Sequence, residues 1–347
     1  MKRNLFNFIV VVVLLMVVAI ACIKDKVVTG VTLDYDTLEL VVDETITLTA
    51  TVKPSDATNK VVKWTSSAPE VATVVEGAVT ARAEGVATIT VTTNDGEFTA
   101  ICVVTVVTPI PIEPVMIHVA GGTFIMGCTD GQCERNETPV LNVKLDDYYI
   151  AKYPVTQREW RAIMRNNPSL NKGDNNPVEN INWDDVTEFL ERLNNATGKK
   201  YRLATEAEWE YAARGGNKSQ GYRYSGSSNI DVVAWYSGNS FNDNGKGATQ
   251  PVGQKTPNEL GICDMSGNVW EWCDDFYARY DSVRFRTGFD TILGIWVNPR
   301  DTVGIQRVAR GGSYLDDIRF CRVSARYAPT PPMMSGHLGI RLAMSVE

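Results

Sequence analysis

The sequence predicts a multidomain protein in which a small β-sandwich precedes an irregular α+β domain. Three observations carry this reading. Residues 27–107 set apolar residues against threonine at period two, prolines then cluster at Pro109, Pro111 and Pro114, and residues 115–347 lose the alternation and turn rich in Gly, Asn and Trp. A chain of 347 residues has room for about two domains of ordinary size, each able to bury a core.

At the N-terminus, Lys2 and Arg3 precede an apolar run from Phe8 to Ala21 that ends at Cys22. As a helix rising about 1.5 Å per residue, this run is too short for a bilayer core of about 30 Å. A charged start and a short apolar stretch are the layout of a secretory signal. The ending Ala19-Ile20-Ala21-Cys22 resembles the lipobox of bacterial lipoproteins, in which the signal is cut before a cysteine that is then acylated. The resemblance implies a signal peptide over 1–21, lipidation at Cys22 and a short tether over 22–26. The membrane is then a partner through lipid, and the protein is extracytoplasmic in the cell envelope, on the outer membrane or cell surface. In that compartment cysteines can oxidise. Cys102, Cys128, Cys133, Cys263, Cys273 and Cys321 follow Cys22, too sparsely to replace hydrophobic cores.

Residues 27–107 read as strands. Ile46, Leu48, Ala50 and Val52 alternate with Thr45, Thr47, Thr49 and Thr51, and Ala87, Ile89 and Val91 with Thr88, Thr90 and Thr92. Such alternation predicts half-buried antiparallel strands. Pro54-Ser55-Asp56, Glu84-Gly85 and Asn94-Asp95-Gly96 supply turns. Cys102 shares the apolar parity of Ala100, Val104 and Val106, as a small buried hydrophobe does. The phrases Val31-Thr32-Leu33, Val61-Val62-Lys63-Trp64-Thr65-Ser66-Ser67, Val71-Ala72-Thr73-Val74 and Gly85-Val86-Ala87-Thr88-Ile89-Thr90-Val91 resemble the bacterial immunoglobulin-like domain of group 2 across the whole segment. The resemblance implies a spacer or adhesive module, and no catalytic constellation is visible here. Residues 108–114 form a proline-stiffened linker.

Residues 115–347 predict three short helices. Thr156 with Glu159 and Thr205 with Glu208 are capping boxes, and Val186, Phe189, Leu190 and Leu193 mark one face of a helix that stops near Gly198. Glu206, Glu208 and Glu210 invite an acid–base reading, but at a capped helix start their roles are dipole and packing. Asn242-Asp243-Asn244-Gly245 reads as a turn.

Composition excludes several functions. Lys plus Arg is 34 against 41 for Asp plus Glu, a net charge of −7 without basic runs, so no nucleic-acid partner is expected. His118 and His337 are the only histidines, too few for a three-histidine metal site. The chain has neither phosphate-cradling glycine motif, nor the nucleophile-elbow motif of serine hydrolases.

Four phrases identify the second domain by resemblance. They are Gly121-Gly122-Thr123-Phe124-Ile125-Met126-Gly127; the stretch from Tyr201 to Gly216; Asn258-Glu259-Leu260-Gly261 with Gly267-Asn268-Val269-Trp270-Glu271-Trp272; and Arg310-Gly311-Gly312-Ser313-Tyr314 with Gly339-Ile340-Arg341-Leu342-Ala343. Together, over about 230 residues, they resemble the formylglycine-generating-enzyme (sulfatase-modifying factor) superfamily. This implies an irregular fold related to C-type lectins. It also implies calcium, held by side chains of Asn268 and Glu271 with backbone carbonyls of Gly267 and Val269. Catalytic members use copper and oxygen to convert a sulfatase cysteine to formylglycine, and hold Cu(I) on two thiolates after the Arg-Gly-Gly-Ser phrase. Counting from Ser313, those positions hold Asp316 and Cys321, and Asp317 stands where the family usually has His. A carboxylate is a hard ligand poorly suited to Cu(I). Cys321 either remains a copper or redox thiol or, as the expected outcome, pairs with Cys273, since both lie beside the family's central motifs in an oxidising compartment; Cys128 and Cys133 either close a small loop or stay free.

The reading that follows is an envelope lipoprotein with an Ig-like stalk and a non-catalytic domain that binds a protein or glycan partner. Its competitor is a copper-dependent oxidase acting on sulfatases through Cys321 and Ser313.

Overall fold

The computed structural model describes residues 25–107, 113–241, 245–281 and 286–346. The signal segment, Cys22, Pro109 and Pro111 of the linker, and Asn242 to Asn244 of the expected turn lie outside the described residues. The chain divides into two compact units, Met1–Pro109 and Ile110–Glu347.

The first unit is all strand. A four-stranded sheet runs Thr37–Val41, Thr99–Val107, Gly85–Thr93, Val62–Ser66, the first pairing parallel and the others antiparallel. A three-stranded sheet of Thr45–Thr47, Ala78–Ala81 and Ala72–Val75 accompanies it, with a two-stranded ribbon of Gly30–Leu33 and Ala50–Lys53. Ala87, Ile89, Val91, Cys102 and Val104 are fully buried, the parity that the threonine alternation predicts. The alternation over 45–52 is not one strand, however. The chain leaves the three-stranded sheet at Leu48, whose N–H is taken by Gly77 O, and Asp34 Oδ1 accepts from Thr49 N before the ribbon begins at Ala50. Period two continues through such a switch of sheet because each half still buries one face.

The second unit combines three four-stranded sheets with short helices. One sheet joins Met116–Val119, Tyr148–Ala151, Leu342–Ser345 and Arg202–Leu203, so the beginning and end of the domain meet. A second runs Gly122–Met126, Leu141–Leu145, Ile295–Asp301, Arg286–Asp290, and a third Arg326–Tyr327, Arg307–Arg310, Trp270–Phe276, Leu338–Ile340. Helix α1 is Gln157–Met164, α2 is Trp183–Thr197 and α3 is Glu206–Ala213. Thr156 and Thr205 make both capping boxes, and Gly198 ends α2 at φ 69°, where a side chain would be strained. A one-turn helix α4, Ile230–Val233, adds to the three expected. Two aromatic-rich cores hold the unit, with Trp160 stacked on Phe189 at 4.8 Å and Trp183 edge-on to Trp272 at 5.6 Å. Among the described residues no helix is long and apolar enough to cross a membrane.

Buried ion pairs stitch these elements together. Arg341 lies between two strands and donates to Glu271 through Nε at 2.9 Å and Nη2 at 2.7 Å, and to the carbonyls of Ala151 and Cys263. Arg322 grips Glu137 with two bonds of 2.7 Å. Glu206 takes two bonds from Arg326, 2.5 and 2.7 Å, and lies 3.0 Å from Arg310 Nε. Glu210 joins Arg310 and Arg214 and accepts from Gly127 N at 2.8 Å. Charges taken out of water in this way destabilise strongly when one partner is removed. Arg341→Met leaves Glu271 buried beside Trp209 without its guanidinium, and is expected to cost about 3–5 kcal/mol, read as a lower urea midpoint.

Candidate functional site

The site is built around the turn that follows the strand Arg307–Arg310. Gly311 and Gly312 have φ of 102° and 75°, and a Cβ on Gly312 would stand 2.7 Å from Phe320 O and 2.9 Å from Cys321 Sγ. Only glycine permits both the left-handed backbone and this approach. The turn delivers Ser313, fully buried, beneath Asp316. Ser313 Oγ donates to Asp316 Oδ2, and Trp270 Nε1 donates to the same oxygen at 2.8 Å. Asp317 faces outward and is held by Arg319 with bonds of 2.7–3.2 Å, which keeps its carboxyl below the ordinary range.

Cys321 shows 0% exposure and packs among Tyr224, Ile230, Val233 and Ala234. Burial, then the charges of Asp316 and Asp317, push its thiol well up, opposing the thiolate that a soft metal or a nucleophile needs. The expected Cys273–Cys321 disulfide is not made. Both are free thiols, Cys273 inside the core with Met265 and Val308, and Cys321 in the separate cluster beside α4. Cys128 and Cys133 are the joined pair, Cα atoms 5.4 Å apart. One buried thiol and one carboxylate already committed to Ser313 and Trp270 do not fit Cu(I).

The calcium expectation divides. Asn268, at φ 65°, spends its amide on the backbone of Gln250, accepting from its N and donating to its O at 3.0 Å each. One of the two acceptor positions of its Oδ1 is thereby filled. Glu271 accepts from Trp209 Nε1 at 2.6 Å and twice from Arg341, which leaves about one of a carboxylate's roughly four acceptor positions. Beside it lies Asp264, which the sequence reading did not select. It is buried, accepts from Gly253 N at 2.7 Å, and is pushed up to about 6 by burial and, among smaller causes, by the charge of Glu271. Asp264 and Glu271 are both buried carboxylates near enough for their charges to interact, and hard oxygens of this kind suit calcium. The place of Asp264 three residues before Gly267 was the available signal.

The glutamates of α3 are placed by arginines. Glu206 and Glu210 meet the guanidiniums described above, and Glu208 caps Thr205 N at 2.8 Å while pairing with Arg202. Burial raises Glu210, but Arg214 and Arg310 outweigh it and hold the group below the usual range, so it is no proton donor at neutral pH. His337 bonds Ser335 Oγ at 2.9 Å and is held down by burial.

Two outcomes follow from this geometry. Alkylation of the folded, unreduced chain should leave Cys273 and Cys321 unlabelled, and unfolding without reductant should label both; a Cys273–Cys321 linked peptide would contradict the assignment. Asp275, fully buried and accepting from Glu206 N and Asp301 N at 2.7 Å each, is raised to about 8 by burial and by Glu206. The folded state therefore binds the extra proton from about pH 4 up to about 8, and stability falls as pH rises through that window. Asp275→Asn should flatten this slope in Tm against pH.

Known proteins share this architecture. Residues 106–346 match the family described as the sulfatase-modifying factor enzyme 1-like domain, and residues 27–104 match the bacterial Ig-like domain of group 2. The chain is 35% identical to the chaperone protein LppX of Paenibacillus barcinonensis, over 60% of this chain and 81% of that one. It is 28% identical to the formylglycine-generating enzyme of Thermomonospora curvata, over 68% of this chain and 95% of the enzyme. Among solved structures, Treponema denticola variable protein 1 superposes with a TM-score of 0.58 at 28% identity, covering 69% of this chain and 98% of that one. The chain thus belongs to the sulfatase-modifying factor enzyme 1-like family, and carries a group 2 bacterial Ig-like domain ahead of that domain.

Proposed function

We propose that the protein is a lipid-anchored envelope protein whose Ig-like domain is a stalk and whose family domain binds a protein or glycan partner instead of oxidising a cysteine. The observation that carries this reading is Asp316. It stands at a position expected to hold a copper thiolate, and its Oδ2 already accepts from Ser313 and Trp270. Around it Leu315, Ile318 and Phe320 are 46%, 44% and 40% exposed, which supports a contact surface. A relative named as a chaperone protein agrees with a binding role. The Cys22 lipid anchor belongs to the same proposal.

The mature protein incubated with copper, oxygen and a Cys-x-Pro-x-Arg peptide should leave the peptide mass unchanged. Conversion to an aldehyde that disappears in Cys321→Ser would establish the oxidase. A partner captured by the native protein should be lost in Leu315→Asp/Phe320→Asp, and capture unaffected by both changes would remove this face from the reading.

Calcium forms a second part of the proposal, supported by the two buried, electrostatically interacting carboxylates of Asp264 and Glu271, with carbonyls of Gly267 and Val269 as further ligands. Its role would be structural, tying the loop before Trp270 to the strand that carries Glu271. Calcium should raise Tm over chelator-treated protein, and Asp264→Asn should abolish that difference; a Tm blind to chelator in the native chain would contradict it.

A further inference from the structure

A cavity of about 320 Å³ opens between the disulfide loop and the segment after α3. Its walls are polar. Thr129 and Gln132 come from the loop closed by Cys128–Cys133, Tyr222, Arg223 and Ser228 from the facing wall, and Arg214 from the floor. None of the lining residues lies between Ser313 and Cys321, so this is a place apart from the contact face proposed above.

Its two guanidiniums are incompletely matched. Arg214 binds Glu210 and donates to Gly127 O, but Glu210 and Glu206 together serve Arg214, Arg310 and Arg326, two carboxylates among three cations. Arg223 donates through Nη2 to Gln132 Oε1, while its Nε has no hydrogen-bond acceptor; Asp130 Oδ2 stands 3.4 Å away as an ion pair only. An orphaned guanidinium edge seeks a planar, negatively charged acceptor, and a carboxylate matches its fork. The remaining walls offer hydroxyls and an amide, with the part-exposed Tyr222 ring, 38% accessible, as the apolar surface. That lining suits a hydroxylated ring, and the volume lies at the small end of ligand pockets. Asp130 is the one acidic side chain in the lining, and a ligand carboxylate has to compete with it for Arg223.

We infer that this pocket binds a single acidic sugar residue, a hexuronate, through its carboxylate on Arg223 and Arg214. The disulfide holds the loop that supplies Thr129 and Gln132. Binding then requires no chemistry at Cys321, and it gives the family domain a glycan-reading pocket besides its contact face. It rests on the binding reading only in assigning the domain a glycan, and its test does not touch residues 313–321.

Saturation-transfer NMR and calorimetry on the full mature chain with glucuronate, glucose and a blocked glutamyl peptide provide the test. Glucuronate should bind saturably below about 10 mM, with glucose and the peptide at least about tenfold weaker. Arg223→Gln should weaken glucuronate about tenfold or more at unchanged Tm, and Asp130→Asn, which frees Arg223, should tighten it. Equal binding of glucose or of the peptide, no saturable glucuronate signal in the native chain, or an Arg223→Gln protein that binds like the native one would each overturn the assignment.

Discussion

The second domain depends on the burial of Arg310. With no exposed surface, this guanidinium reaches Glu206 and Glu210 of α3 and donates to the carbonyls of Val323 and Ala325, so helix, strand and the returning chain share one charge. It lies immediately before Gly311 and Gly312, whose left-handed turn carries Ser313 into the interior. Arg326, Arg341 and Arg322 repeat the device with Glu206, Glu271 and Glu137. A fold with little regular structure needs such anchors, because long loops cannot satisfy their own polar groups. Their expense is desolvation, which only near-complete pairing offsets.

The same frame explains how the fold accommodates a carboxylate at position 316. The turn Gly311-Gly312-Ser313 is set by backbone geometry and by Arg310, neither of which requires a metal. A carboxylate at 316 is absorbed by donors already present, the Ser313 hydroxyl and the Trp270 indole, and Cys321 becomes a core side chain beside Tyr224 and Ile230. Where two soft ligands would have met, the molecule has one hard ligand with filled hydrogen bonds and one protonated thiol. What remains exposed is the apolar rim of Leu315, Ile318 and Phe320.

Much of the fold was legible because its signals are local. Capping boxes at Thr156 and Thr205, the stop at Gly198 and the threonine alternation near Ile89 each depend on neighbours within a few residues. The split of residues 45–52 between two sheets was not, since both halves obey the same period. The site was legible in part. Ser313 and Asp316 were singled out through the family resemblance, but the partners of Cys321 and Cys273 depend on which core each side chain enters, which the resemblance does not encode. Arg214 pairs with Glu210 at i,i+4, but Arg310 and Arg326, which complete the pairing of Glu210 and Glu206, come from about 100 residues downstream, beyond any local pattern. Asp264 escaped because its neighbour Asn268, within the recognised phrase, offered the more familiar ligand.

Cu(I) affinity tests the account most directly. A competition titration of the mature, oxygen-free protein against a colorimetric Cu(I) chelator, with Asp316→Cys beside it, compares one thiol with two. The account predicts that the native chain fails to draw Cu(I) from the chelator, while Asp316→Cys gains affinity as the second sulfur is supplied. Stoichiometric Cu(I) uptake by the native chain, abolished in Cys321→Ser, would contradict it and restore a metal centre to this fold.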